Sequence, residues 1–228
     1  MTTNDDYYDQ RVQMVEEQLS ARGIEDWRVL EAMRAVPRHE FVSGHLSHLA
    51  YRDCPLPIGE QQSISQPFIV ALMTQLVRLG GYERVLEIGT GSGYHTAVLS
   101  VASGMVFSLE RSMRLAQRAG QVLGRLSYDN VEIHVGDGSW GLPDMAPFDA
   151  IVVTAAAPSI PGPLCAQLSP LGGRMIIPIG SRENQYINLV MRDGDSLRVD
   201  TILPVRFVPL VGRFGFNYTP DDPFAGLM

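Results

Sequence analysis

Ten consecutive residues constrain this chain more than any others: Val85-Leu86-Glu87-Ile88-Gly89-Thr90-Gly91-Ser92-Gly93-Tyr94. They read as a buried strand, a tight glycine turn and a helix start. Glycines at alternate positions let the backbone turn sharply and approach a ligand with no Cβ in the way. Open α/β sheets build nucleotide pockets in this manner, at the carboxyl end of the first strand. The dinucleotide fingerprint G-x-G-x-x-G does not fit, because Tyr94 stands where its third glycine belongs. The spacing is E-x-G-x-G-x-G, from Glu87 to Gly93. An acidic residue is then expected at the end of the next strand, to hold ribose hydroxyls. Met105 to Leu109 reads as that strand and Glu110 follows it. The competing reading is a tight strand–helix turn with no ligand.

The 228 residues suit one domain with a full core. A hydrophobic content of 45% with 19% charged residues is that of a globular protein. No apolar run reaches bilayer length, so no membrane partner is expected. The opening, Met1 to Asp6, is polar and acidic and lacks the shape of a signal peptide, which makes a cytoplasmic location the default. Cys54 and Cys165 form no zinc or disulfide spacing, and His39, His45 and His48 lack further ligands, so no metal is expected. The net charge is −7, and all 18 basic residues are scattered arginines, which argues against a nucleic-acid partner. Oligomeric state is not readable here; a monomer is the default.

Residues 1 to about 9 read as disordered. Val12, Val15 and Leu19 recur at helical spacing up to Gly23, and a second helix is expected from an Asp26 cap through Val36. Residues 43–64 read as loop. A helix opens at Pro67 and ends by Gly80-Gly81. Strands are expected at 84–88, 105–109, 131–135, 149–154 and 174–179, and helices at 93–102, 112–126 and 161–169. Such alternation implies a parallel sheet covered on both faces. The last two strand-like runs, 186–192 and 197–205, are joined by Asp193-Gly194-Asp195, a hairpin signal. The α/β fold expected is thus Rossmann-like: a doubly wound, mostly parallel sheet finished by a C-terminal antiparallel hairpin. That architecture, with its E-x-G-x-G-x-G loop, resembles the class I S-adenosylmethionine-dependent methyltransferases. Residues 1–64 would form a helical and loop elaboration packed on a methyltransferase domain of residues 65–228, effectively one structural domain.

On this reading Gly89, Thr90, Gly91, Ser92 and Gly93 surround the amino acid half of the cofactor, Glu87 counts among the cofactor-binding residues, and Glu110 takes the ribose. Asp137 and Gly138 border the adenine, with Asp137 accepting from the exocyclic amine or serving only as a turn aspartate. Thr154 to Ala157 form a small wall beside the methyl group. The [N/D/S]-P-P-[Y/F] sequence of base-amine methylation is missing there. Ser65 precedes a helix N-terminus, where free N–H groups favour an anion. Alternatively, Ser65 or Gln66 simply caps that helix.

Further segments carry a closer resemblance. They are Pro37-Arg38 with Phe41, Ala50-Tyr51 with Asp53, Pro55 to Gly59, Ser63-Ile64-Ser65-Gln66-Pro67, Leu86 to Tyr94, Gly136-Asp137-Gly138, Pro147-Phe148-Asp149, Thr154-Ala155-Ala156, Gln167-Leu168 and Pro178-Ile179-Gly180. Together, in this order, they resemble the protein-L-isoaspartate O-methyltransferase family, and the 55–67 segment is the most restricted to it. The resemblance implies Ser65 as the active-site residue, with Gln62, Ser63, Ile64 and Ser65 lining the pocket of S-adenosyl-L-methionine. Ser63 stands where the family usually has threonine. The implied substrates are isoaspartyl-containing proteins and peptides, repaired through a methyl ester and a succinimide. A carboxylate acceptor is already ionised at neutral pH and needs no base. Ser65 would therefore donate a hydrogen bond, and no G-x-S-x-G elbow marks it as a nucleophile. Val208-Pro209-Leu210 would form part of an extended-peptide cleft. His95 is expected on a helix surface, Trp27 and Trp140 are left undecided, and nothing assigns a role to residues 216–228. Other readings are an O-methyltransferase acting on an aspartyl carboxylate of a dedicated peptide, a non-catalytic S-adenosylmethionine-binding protein and, least favoured, a dehydrogenase.

Overall fold

The computed structural model describes residues 7–217. Helix α1, Tyr8–Gln13, continues through a wider turn over Met14–Leu19 and a 3-10 turn at Ser20–Arg22. Tyr8 and Asp9 are therefore helical, which shortens the unpatterned start expected from the sequence; residues 1–6 lie outside the described residues. Val15 and Leu19 are buried. Helix α2, Trp27–Ala35, starts on the expected cap: the Asp26 carboxylate accepts from the Arg28 N–H at 2.9 Å.

Residues 56–64 depart from the expected loop. Strands β1, Leu56–Gly59, and β2, Gln62–Ile64, pair antiparallel as a small hairpin. Its two turn residues, Glu60 and Gln61, are both left-handed, with φ of 51° and 54°. Such turns favour Asn-Gly, so Glu-Gln gave no signal. The Glu60 carboxylate lies 3.1 Å from the Arg114 guanidinium, which ties this turn to the main body.

After α3, Pro67–Leu76, strands and helices alternate as expected: β3 Arg84–Ile88, α4 Tyr94–Ala102, β4 Met105–Glu110, α5 Met113–Arg125, β5 Val131–Val135, β6 Ala150–Val153, α6 Gly162–Gln167 and β7 Leu171–Gly180. The antiparallel β8, Gln185–Asp193, and β9, Ser196–Val205, close the series. Helix α6 is shorter than expected. Gly172-Gly173 lie inside β7, where pairing with β8 is irregular between Leu171 and Arg174. Glycines in a strand often mark such a bulge.

The large sheet has the order β5-β4-β3-β6-β7-β8-β9, parallel from β5 to β7 and antiparallel beyond. Every residue of β6 is buried, as a central strand covered on both faces requires. The N-terminal helices close over α4 and α5: Val15, Leu19 and Met33 share a core with Tyr94, Val98, Leu115 and Leu123. Tyr94 packs edge-on against Phe41, and the Arg38 guanidinium lies over its ring at 4.6 Å. That packing explains why the helix begins with an aromatic residue here. Strand order reverses at β3, which has β4 on one side and β6 on the other. Ligands bind outside the carboxyl ends of strands at such a point.

Candidate active site

The glycine loop leaves β3 at this crevice and is held from three directions. Gly89 has φ +95°, and a Cβ there would sit 2.3 Å from Thr154 Oγ1. The Thr154 hydroxyl, just past β6, donates to the Gly89 carbonyl at 2.8 Å. The Glu110 carboxylate accepts from the N–H groups of Gly91 and Ser112, each at 2.9 Å. It keeps lone pairs for further donors. Behind the loop, the Thr90 and Ser108 hydroxyls lie 2.6 Å apart, and Ser108 donates to Glu87 Oε2 at 2.6 Å. Thr96 donates to the same oxygen at 2.5 Å. Glu87 is fully buried, and desolvation pushes its carboxyl up to about 8.

A cleft opens over the loop. Of the residues singled out from the sequence, Gln62, Ser63, Ile64 and Ser65 line one side of it. Gly89, Thr90, Gly91, Ser92, Glu110 and Gly138 line the other. Gly138 lets its turn pack directly on β3, since a Cβ there would be 2.4 Å from Ile88 Cγ2. Glu87, Gly93 and Asp137 are not part of this lining. Glu87 supports the loop from behind, and Gly93 starts α4 with a left-handed φ of +87°. Asp137 is a turn aspartate in this structure. Its Oδ1 accepts from the Ser139 N–H and hydroxyl at 2.9 and 2.7 Å, and its Oδ2 from the Arg213 N–H at 2.8 Å. Trp140, next to that turn, is partly exposed and stacks on Phe214 at 5.6 Å.

Ser65 borders both the cleft and a wider, more open groove. Neither it nor Gln66 caps α3. Gln66 occupies the cap position with no side-chain hydrogen bond, and Asp53 Oδ1 accepts from the Phe68 N–H instead, at 3.0 Å. Asp53 is itself paired with Arg22. Asp53 was visible in the sequence only as one element of a resemblance; its capping role spans fifteen residues and could not be read locally. Val208 and Pro209 wall both cavities. They belong to a segment fastened to Ala156, whose N–H donates to the Val208 carbonyl at 2.8 Å and whose carbonyl accepts from the Leu210 N–H at 2.7 Å. Of the wall expected at residues 154–157, Thr154 and Ala155 reach the cleft, while Ala156 and Ala157 are buried behind them.

His95 is not on a helix surface. It is 7% exposed, borders the cleft and lies 3.0 Å from Thr74 Oγ1. The missed signal was α4 itself, YHTAVLSVA, which has no charged residue on any face. A helix without a polar face is buried all round. Cys54 and Cys165 are free thiols, both half-buried.

Sheet order, glycine loop and the acidic residue ending β4 define a class I S-adenosylmethionine-dependent methyltransferase, and the residues present fit that cofactor. The backbone of Gly89, Thr90 and Gly91 borders the cleft, and Glu110 faces it with acceptor capacity for a diol. Residues 9–215 match the protein-L-isoaspartate(D-aspartate) O-methyltransferase family, and the chain belongs to it. It is 54% identical over 207 residues to protein-L-isoaspartate O-methyltransferase 1 of Syntrophobacter fumaroxidans, covering 91% of this chain and 96% of that one. A protein-L-isoaspartate O-methyltransferase of Methanoculleus marisnigri is 53% identical, with 91% and 94% covered. Among solved structures, a protein-L-isoaspartate O-methyltransferase superposes with a TM-score of 0.82 at 30% identity, covering 91% of this chain and 67% of that one. A Plasmodium falciparum structure, described as a putative member in complex with S-adenosyl-L-homocysteine, gives 0.75 at 26% identity, with 88% and 98% covered.

Proposed function

We propose that this enzyme transfers a methyl group from S-adenosyl-L-methionine to the free carboxylate of L-isoaspartyl residues in damaged proteins and peptides. The observation that carries this reading is the place of Ser65, between a ligand cleft and an open groove, with Asp53 capping α3 in its stead. When bound, the cofactor supplies a methyl group made electrophilic by its sulfonium. The acceptor carboxylate attacks in line, the carbon–sulfur bond breaks, and the thioether leaves neutral. No base is required, because a carboxylate with a pKa near 4 is already ionised. The histidine bordering the cleft is a poor base, because burial lowers its pKa to about 3.

Ser65 donates a hydrogen bond to the acceptor carboxylate or to its neighbouring main chain, and so sets the angle of attack. Alignment of reactants is worth roughly 7–11 kcal/mol in favourable cases. Gln62, Ser63, Ile64, the glycine loop and Glu110 hold the donor. Glu87, Gly93 and Asp137 act from behind by fixing the loop, the start of α4 and the 208–213 segment. The open groove beside Val208-Pro209 takes an extended peptide. The ester then closes to a succinimide through the adjacent backbone nitrogen, and hydrolysis returns some normal aspartyl linkage.

The division into residues 1–64 and 65–228 is supported by the small hairpin and helices preceding the first βα unit, although both parts share a core. The enzyme is read as a monomer acting in the cytoplasm on isoaspartyl proteins, with no nucleic-acid or membrane partner. Among the described residues no helix is long and apolar enough to cross a membrane. The deciding experiment is transfer of labelled methyl from S-adenosylmethionine to matched peptides that differ only in isoaspartyl or normal aspartyl linkage. Base-labile label on the isoaspartyl peptide alone supports repair. Label on the normal peptide, or on neither, overturns it.

A further inference from the structure

Thr74 lies on α3 and is fully buried; its hydroxyl donates to the Val70 carbonyl at 2.8 Å. The same oxygen is 3.0 Å from Nε2 of His95. A hydroxyl has one hydrogen. With that hydrogen on Val70, the ring hydrogen of His95 must sit on Nε2 and point at Thr74. Nδ1 is then a bare lone pair. Among the described residues it has no hydrogen-bond partner, and it is not one of the buried polar atoms shut off from solvent. The little surface left to His95 belongs to the cleft. With the hydrogens so placed, the ring presents a neutral acceptor to the cleft.

We infer that His95 is a cofactor-binding residue whose Nδ1 accepts a hydrogen bond from the α-ammonium group at the methionine end of S-adenosylmethionine. The chemistry of the ligand narrows the partner. A bare acceptor repels the substrate carboxylate, which has no hydrogen to offer. The ribose hydroxyls are matched to Glu110, and the sulfonium carries no donor. The ammonium is a cationic donor, and the first turn of α4, which carries His95, continues directly from the loop assigned to the methionine half. The inference rests on the cofactor reading and is independent of which carboxylate receives the methyl group.

The test is calorimetric titration of S-adenosylhomocysteine and of its analogue with the α-amino group replaced by hydrogen. Both are titrated into the wild-type protein and into His95→Ala. Loss of a hydrogen bond to a charged group should weaken S-adenosylhomocysteine about 10-fold or more. The deamino analogue should bind both proteins alike. Equal weakening of the two ligands, or no change in either, overturns the inference. Should His95→Ala fail to fold, Thr74→Val keeps the imidazole and removes the group that fixes its tautomer. It should shrink the preference for the amino-bearing ligand several-fold, and an unchanged preference overturns the inference as well. No methyl acceptor is present, so a failed isoaspartyl assay leaves this result standing.

Discussion

Asp53 and Phe68 meet across the entrance to α3: the Asp53 carboxylate accepts the Phe68 N–H at 3.0 Å and supplies the cap that Gln66 does not. Removing a cap of this kind costs about 1 kcal/mol. Asp53→Ala should lower the melting temperature accordingly. It should also reduce kcat/KM on an isoaspartyl peptide by more than the loss of folded protein explains, because Ser65 stands directly before the helix so anchored. Thermal melts beside initial rates check this. Activity falling only in step with the folded fraction would make Asp53 a cap and nothing more.

Ser65→Ala should lower kcat/KM about 10- to 100-fold, the range for losing a hydrogen bond to a charged group. S-adenosylhomocysteine affinity should change far less. Steady-state kinetics with an isoaspartyl peptide, paired with titration of the product, separate the two. A full loss of cofactor binding with no separate effect on turnover would place Ser65 on the donor side only.

Gly89→Ala forces a Cβ to within 2.3 Å of Thr154 Oγ1 at a φ of +95°. Strain of about 1–3 kcal/mol is expected from the backbone alone. The loop must then move off β6, and S-adenosylhomocysteine binding should fall at least about 10-fold while the chain still folds. Titration together with circular dichroism checks it. Wild-type affinity in Gly89→Ala would mean that the loop is less tightly tied to Thr154 than the geometry indicates.

Glu87 predicts a pH effect on stability. Its carboxyl is raised from 4.5 to about 8 by burial. Between those values the folded state holds a proton that the unfolded chain has released, so this group makes stability fall as pH rises. The slope approaches about 1.4 kcal/mol per pH unit. Glu87→Gln carries no such proton. The melting temperature of the variant relative to wild type should therefore rise between about pH 5 and pH 8. A constant difference would show that Glu87 is ionised in the folded protein.

Strands β3, β4 and β6 were legible in the sequence because buried parallel strands are runs of apolar residues, and Asp193-Gly194 announces the turn between β8 and β9. Gln62 to Ser65 and Glu110 were legible through motifs and do meet at one cleft. What escaped was decided by partners distant in sequence. The Glu60-Gln61 turn lacks the residues its backbone favours and is held in part by Arg114. Asp137 read either as an adenine contact or as a turn aspartate; the turn bonds it makes, to Ser139 and to Arg213 76 positions away, were not visible locally. His95 was misplaced because the absence of any charged residue in α4 was passed over; only its partner, Thr74 on another helix, lies beyond a local pattern.

The three-sided hold on the glycine loop has a thermodynamic consequence. Thr154 fixes Gly89, Glu110 fixes Gly91, and Thr90 is linked through Ser108 to Glu87. Such a loop has few conformations left to lose when a ligand arrives. Immobilising protein segments is one of the main entropic penalties of association. In this cleft that penalty falls mostly on the ligand and its water, and the heat-capacity change of binding should follow the apolar surface of the ligand removed from water.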